Sequence, residues 1–108
     1  MEMAFGGTWR LLRRNGDEPL GEILVDDGDF PWLSGHFVPA PGFAAVKPWF
    51  DESRALLDAE DYEGFDRSYD RIAAALTLVA PDGPVAEFLL HINGDRASFR
   101  WSDEPFDT

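Results

Sequence analysis

The stretch VAEFLLHINGDRASFRW, residues 85–101, constrains the fold of this chain more than any other part of it. Asn-Gly between two alternating runs is the strongest short-range signal for a β-hairpin. With Asn93-Gly94 as a two-residue turn, Ile92 lies opposite Asp95, Phe88 opposite Phe99 and Glu87 opposite Arg100. One face then collects Phe88, Leu90, Ile92, Ala97, Phe99 and Trp101. The other collects Glu87, Leu89, His91, Arg96, Ser98 and Arg100. Because side chains alternate with a period of two, a one-residue slip would put Phe88 opposite Arg100 and mix the faces. An amphipathic hairpin is therefore expected, and some other element must cover its apolar side.

That cover is expected from the middle of the chain. Pro48 suits a first helical position, and Asp51 and Glu52 follow where the helix dipole favours anions. Phe50 and Leu57, like Trp49 and Leu56, are spaced i,i+7 and predict a short amphipathic helix to about Ala59. Asp61 is a candidate N-cap for a second helix. There Tyr62, Phe65, Tyr69, Ile72 and Leu76 recur at spacings of 3, 4, 3 and 4 and form one apolar stripe. Glu63 and Arg67 make an i,i+4 pair on its polar side. The Phe65/Tyr69/Ile72 stripe is expected to meet the Phe88/Phe99 face.

Two further runs, TWRLLRR (8–14) and LGEILV (20–25), flank NGDEP and read as another hairpin. DDGDFP (26–31) is a cluster of breakers, and WLSGHFV (32–38) is a third strand. LTLVA (76–80), the turn PDGP and the final hairpin read as a three-stranded meander. The element order is β-β-β-α-α-β-β-β. It predicts one α+β domain over residues 1–108, an antiparallel sheet with helices packed on one face, and a mobile acidic tail at 102–108.

Charge narrows the range of functions. The 21 acids outnumber nine bases and give a formal net charge of −12. Such a field repels phosphate backbones, so nucleic acid is not expected as a partner. It favours either plain solubility or a basic protein partner. No apolar run approaches the ~20 residues of a membrane span, and MEMAFGG lacks the pattern of a secretory signal. With no cysteine, a reducing, cytoplasmic location is the expectation.

The acidic stretch DDGDFPWLSGHF (26–37) does not fit a calcium loop. From Asp26, Gly28 falls on an EF-hand ligand position; from Asp27, Pro31 does. The chain has only His36 and His91 as imidazoles, too few for a typical zinc site. No metal or other cofactor is expected. The plain reading is a turn over Asp26, Asp27 and Gly28, capped by Asp29. No nucleophile elbow, dinucleotide fingerprint or P-loop is present, so no catalytic residue can be nominated. The best candidate ligand site is the polar side of the last hairpin, with Glu87, His91, Arg96 and Arg100 and the Trp32/His36 side of the third strand as a wall. Two neighbouring arginines in an acidic protein would suit an anion. The alternative is a solvated sheet face whose charges pair for stability. Phe30, Trp32, Phe37, Phe43, Trp49 and Phe50, broken up by prolines, are either core or a contact surface, with Trp32 and Trp49 chosen for the surface.

DFPWL, DESRALLDAEDYEGFDRSYDRI and PDGPVAEFLLHINGDRASFRW together resemble a group of small acidic actinobacterial proteins of unknown function. The resemblance spans most of the chain and implies a single-domain, cytoplasmic bacterial protein. It brings no activity, ligand or site residue. The expectation is a non-enzymatic binding or interaction module, with a homodimer open. The alternative is a small-molecule binder or small enzyme using the polar sheet face.

Overall fold

The computed structural model describes residues 7–29 and 32–102. Its elements are β1 (Thr8–Arg13), β2 (Pro19–Asp29), β3 (Trp32–Pro39), a 3-10 turn (Pro41–Ala45), α1 (Lys47–Asp58), α2 (Tyr62–Ala75), β4 (Leu76–Ala80), β5 (Gly83–Pro84), β6 (Glu87–Asn93) and β7 (Arg96–Ser102). All strand pairs are antiparallel, and the sheet order is β5-β4-β1-β2-β3-β7-β6. This is an α+β fold, with the helices closing over one face of the sheet.

The expected C-terminal meander does not form. β4 pairs with β1 and β5, while β6 and β7 pair on the far side against β3. Only Val85 and Ala86 join β5 to β6, although these strands are the two edges of the sheet. Three Cα–Cα steps of about 3.8 Å allow ~11 Å at most. The sheet must therefore curl until its edges approach one another, and α2 lies in the seam. Tyr69 sits beside β6, where its hydroxyl donates to the Phe88 carbonyl (3.1 Å) and accepts from the Leu90 N–H (2.9 Å). Those groups of an edge strand would otherwise be buried without partners.

Apolar alternation explains the core. Trp9, Leu11, Ile23, Val25, Phe37, Phe88, Leu90, Ile92, Ala97 and Phe99 are all buried. Phe43 packs edge-on against Phe37 (4.8 Å between centroids) and lies 5.9 Å from Phe50, which ties α1 to the sheet. Phe65, Tyr69 and Ile72 join the same core, and Tyr69 meets Phe88 edge-on as the stripe predicted. Tyr62, at the start of the stripe, is exposed, and Leu76 is already in β4. The Glu63–Arg67 pair does not close; the helical ion pairs are Lys47–Asp51, Arg54–Asp58 and Arg71–Glu52.

α2 begins as expected, with the Asp61 carboxylate accepting the Gly64 N–H at 3.0 Å. Its last turn carries no basic residue of its own. Arg14 supplies one from the end of β1, donating from its backbone to Ala75 and from its side chain to the Ala73 and Leu76 carbonyls. Asp61→Ala is expected to cost about 1 kcal/mol, read as a shift of the urea midpoint at unchanged slope.

Two turns differ from expectation. The final hairpin turns at Gly94-Asp95, so Asn93 pairs with Arg96, Leu90 with Phe99, Phe88 with Trp101 and Glu87 with Ser102. Gly94 has φ 65° while Asp95 is not in the positive-φ region, the pattern of a II′ turn with glycine first. The slip is two residues, so both faces keep their members. Asp26, Asp27 and Gly28 form no turn. They extend β2, an 11-residue strand, with a register shift between Val25 and Asp27 that leaves Asp26 as a bulge. The Asp27 carboxylate accepts the Gly28 N–H. The side chain of Asp29, residues 30–31 and most of the expected tail (103–108) lie outside the described residues, and Ser102 still belongs to β7.

Candidate functional site

The face of the sheet whose side chains alternate with the apolar core carries all six residues expected as a site, and at the β6 edge the helices reach it. Trp32 and His36 come from β3, Arg96 and Arg100 from β7, Glu87 and His91 from β6. The sheet brings some of them together. Trp32 of β3 and His91 of β6 stack across the intervening β7, 5.8 Å between centroids and 21° between planes. Phe65 continues the row at 6.0 Å from His91. His36 pairs with Arg96 across β3 and β7. Glu87 and Arg100 are not opposite each other: Arg100 faces Leu89.

Arg96 on this part of the face is already engaged. Arg96 holds the bulged Asp26 carboxylate in a two-pronged contact, 2.7 and 2.9 Å. The bulge turns Asp26 toward β7, and the acidic stretch that opens toward Trp32 thus anchors an arginine. The Arg96 hydrogen bond holds the Asp26 carboxyl below the usual carboxylate range, so this pair stabilises the fold above that range and is lost as pH falls through it. Both groups are exposed, so the effect is small. His91 is half-buried, and burial, reinforced by the positive charge of Arg54, holds its imidazolium below its ordinary value. A depressed histidine means the unfolded chain takes up the proton first. Stability contributed by His91 is therefore full above about pH 6.5 and falls as the pH drops below it. NMR should show His91 titrating below that value. His91→Gln is expected to flatten the pH dependence of the melting temperature between pH 7 and 5.

Trp49, chosen for the surface, is half-buried against the core with the Arg71 guanidinium 5.4 Å over its ring, and Trp32 is half-buried too. Among the described residues no group of three or more His, Asp or Glu converges to hold a metal ion, and no helix is long and apolar enough to cross a membrane.

A concavity lies elsewhere on the same outer face. A groove of about 960 Å³ crosses β5, β4, β1, β2 and the end of β3. Val79, almost fully buried, forms its floor beside half-buried Leu12, and Val38, 41% exposed, forms one wall. Arg10 and Glu22 stand directly opposite each other on β1 and β2. Arg14, fixed on the end of α2, and Asp17 mark one end. Arg10 makes no hydrogen bond or ion pair with the described residues, although Glu22 is its cross-strand neighbour. Arg13–Glu18, at the β1–β2 connection, and Arg96–Asp26, on the sheet, both close.

The chain matches no family model, no curated protein and no solved structure.

None of the six expected residues lines the groove. Its signal was present in TWRLLRR and LGEILV, where Arg10, Leu12 and Glu22 alternate with the buried Trp9, Leu11 and Ile23. What the runs alone do not supply is that β4 folds back beside β1 and brings Val79 and Thr77 to the same face.

Proposed function

We propose that this protein is a non-enzymatic, cytoplasmic binding module that takes a small ligand in the outer groove. The observation that carries this reading is the groove itself: a buried aliphatic floor with an unclosed Arg10–Glu22 pair at its side. Among the described residues its ionic groups are two guanidiniums and two carboxylates, balanced in charge within a strongly acidic protein. Such a site suits gripping a ligand with an apolar body. On the Trp32/His91 side, by contrast, Arg96 is already occupied by Asp26.

The test is a small-molecule screen read by amide chemical shifts. Hits are expected to move Arg10, Val38 and Thr77, and Val38→Trp, which fills the groove from an exposed position, should abolish those shifts. Shifts confined to Trp32, His91 and Ser98 would overturn the groove in favour of the other side of the sheet.

A basic protein partner is the second reading, favoured by Glu60, Glu63, Asp66 and Asp70. These exposed acids, in and just before α2, form no ion pair among the described residues. A pull-down at low and high salt separates the two readings. Retention of a basic protein only at low salt, lost in Glu63→Lys/Asp66→Lys but kept in Val38→Trp, would support this reading.

A further inference from the structure

We propose that the groove binds a free α-amino acid with an aliphatic side chain, its carboxylate on Arg10 and its ammonium on Glu22. The inference rests on the groove being the binding site and names what enters it.

Directly opposite residues of antiparallel strands have their Cβ atoms about 5 Å apart. An arginine and a glutamate so placed have the reach to close on each other. Here they do not, while five other pairs among the described residues do. An open pair of opposite charges side by side is the complement of a ligand that carries both charges on one carbon. Guanidinium offers a planar fork to a carboxylate, and a carboxylate accepts from an ammonium. A ligand with only one of these charges would leave either Arg10 or Glu22 unmatched.

The charge of the whole protein points the same way. At a formal −12, an anionic ligand works against the field of the molecule, and a simple cation is drawn equally to every exposed acid. A zwitterion has no net charge, so only local complementarity decides where it binds. Its side chain then meets aliphatic surface. Val79 pairs with Arg10 on the β4 side, Val38 pairs with Glu22 on the β3 side, and Leu12 is the next outward residue of β1. The two charged residues are thus bracketed by valines across three strand pairings. Among the described residues no aromatic ring lines the groove, which favours an aliphatic side chain.

The experiment titrates the isotopically labelled chain with L-leucine, with isoamylamine (leucine without its carboxylate) and with 4-methylpentanoate (leucine without its ammonium). L-Leucine is expected to shift the amides of Arg10, Glu22, Val38 and Val79 and to bind at least tenfold more tightly than either analogue. Arg10→Gln should reduce leucine to the level of the amine, and Glu22→Gln to the level of the acid. Both residues are exposed, so the melting temperature should stay unchanged in each variant. If an analogue binds the groove as well as leucine does, the zwitterion assignment fails and the groove survives as a site. If none of the three moves the groove amides, the amino-acid assignment fails, and the unbiased screen with its Val38→Trp control then judges the groove alone.

Discussion

Gly35→Ala should be among the most damaging single-methyl substitutions in this protein, lowering stability by about 3 kcal/mol. At roughly 4–8 °C per kcal/mol for a domain of this size, the melting temperature should fall by more than about 10 °C. Gly35 is buried in the middle of β3, between Val25 of β2 and Ala97 of β7. A Cβ there would lie 2.2 Å from the Leu24 carbonyl oxygen and 2.7 Å from the Val25 Cα. Both are backbone atoms of a paired strand, so no side chain can swing aside. Relief requires β2 and β3 to separate next to the bulge that aims Asp26 at Arg96. Ser34→Ala, one residue away and half-exposed, is the control and should stay within about 0.5 kcal/mol. A wild-type melting temperature for Gly35→Ala would show that the strands do not approach so closely.

Gly35 also shows where a sequence reading stops. A glycine inside a strand pattern signals a bulge or a close backbone approach, and here it marks both, yet WLSGHFV by itself reads only as a strand. Local periodicity was enough for the helices, the Asp61 cap and the two faces of the last hairpin, because each depends on residues a few positions apart. The hairpin illustrates the limit: alternation fixes the parity of pairing, and Asn93-Gly94 and Gly94-Asp95 turns share that parity. An Asn93-Gly94 turn of type I′ would need positive φ at Asn93, which it does not have, and the pairing of Asn93 with Arg96 moves the turn on by one residue. The place of β4 beside β1 depends on contacts between residues more than 60 positions apart, such as Arg10 with Val79. No nearby residue encodes that, so a meander was the natural expectation. The same non-local step builds the groove. It also explains why the polar side of β6 and β7 stood out: its members are neighbours in sequence, whereas Arg10, Glu22, Val38 and Val79 become neighbours only in the fold.

Tyr69→Phe is expected to cost about 2–3 kcal/mol at neutral pH, because one oxygen serves two buried backbone groups of β6. Removing it leaves the Leu90 N–H and the Phe88 carbonyl without that partner, and each unsatisfied buried group costs about 1–3 kcal/mol. The lost volume is a single oxygen, so packing contributes little. Hydrogen exchange should localise the effect, with the Leu90 amide losing more protection than the amides of β1 or β2. The pH dependence gives a second signature. Burial pushes the Tyr69 phenol well above its ordinary value; the Leu90 N–H opposes that shift and the negative charge of Glu87 adds to it. A raised phenol means the folded state holds its proton more tightly than the unfolded chain does. The contribution is therefore complete below about pH 10 and is lost as the pH rises above it, where the unfolded chain ionises first. Phenylalanine has no proton to lose. Chemical denaturation of the two proteins should thus give midpoints well separated at pH 7 to 9 and converging above pH 10. Parallel curves across that range would show that Tyr69 does not seal the β6 edge through its hydroxyl. They would also remove the reason for α2 to lie in the seam of the curled sheet.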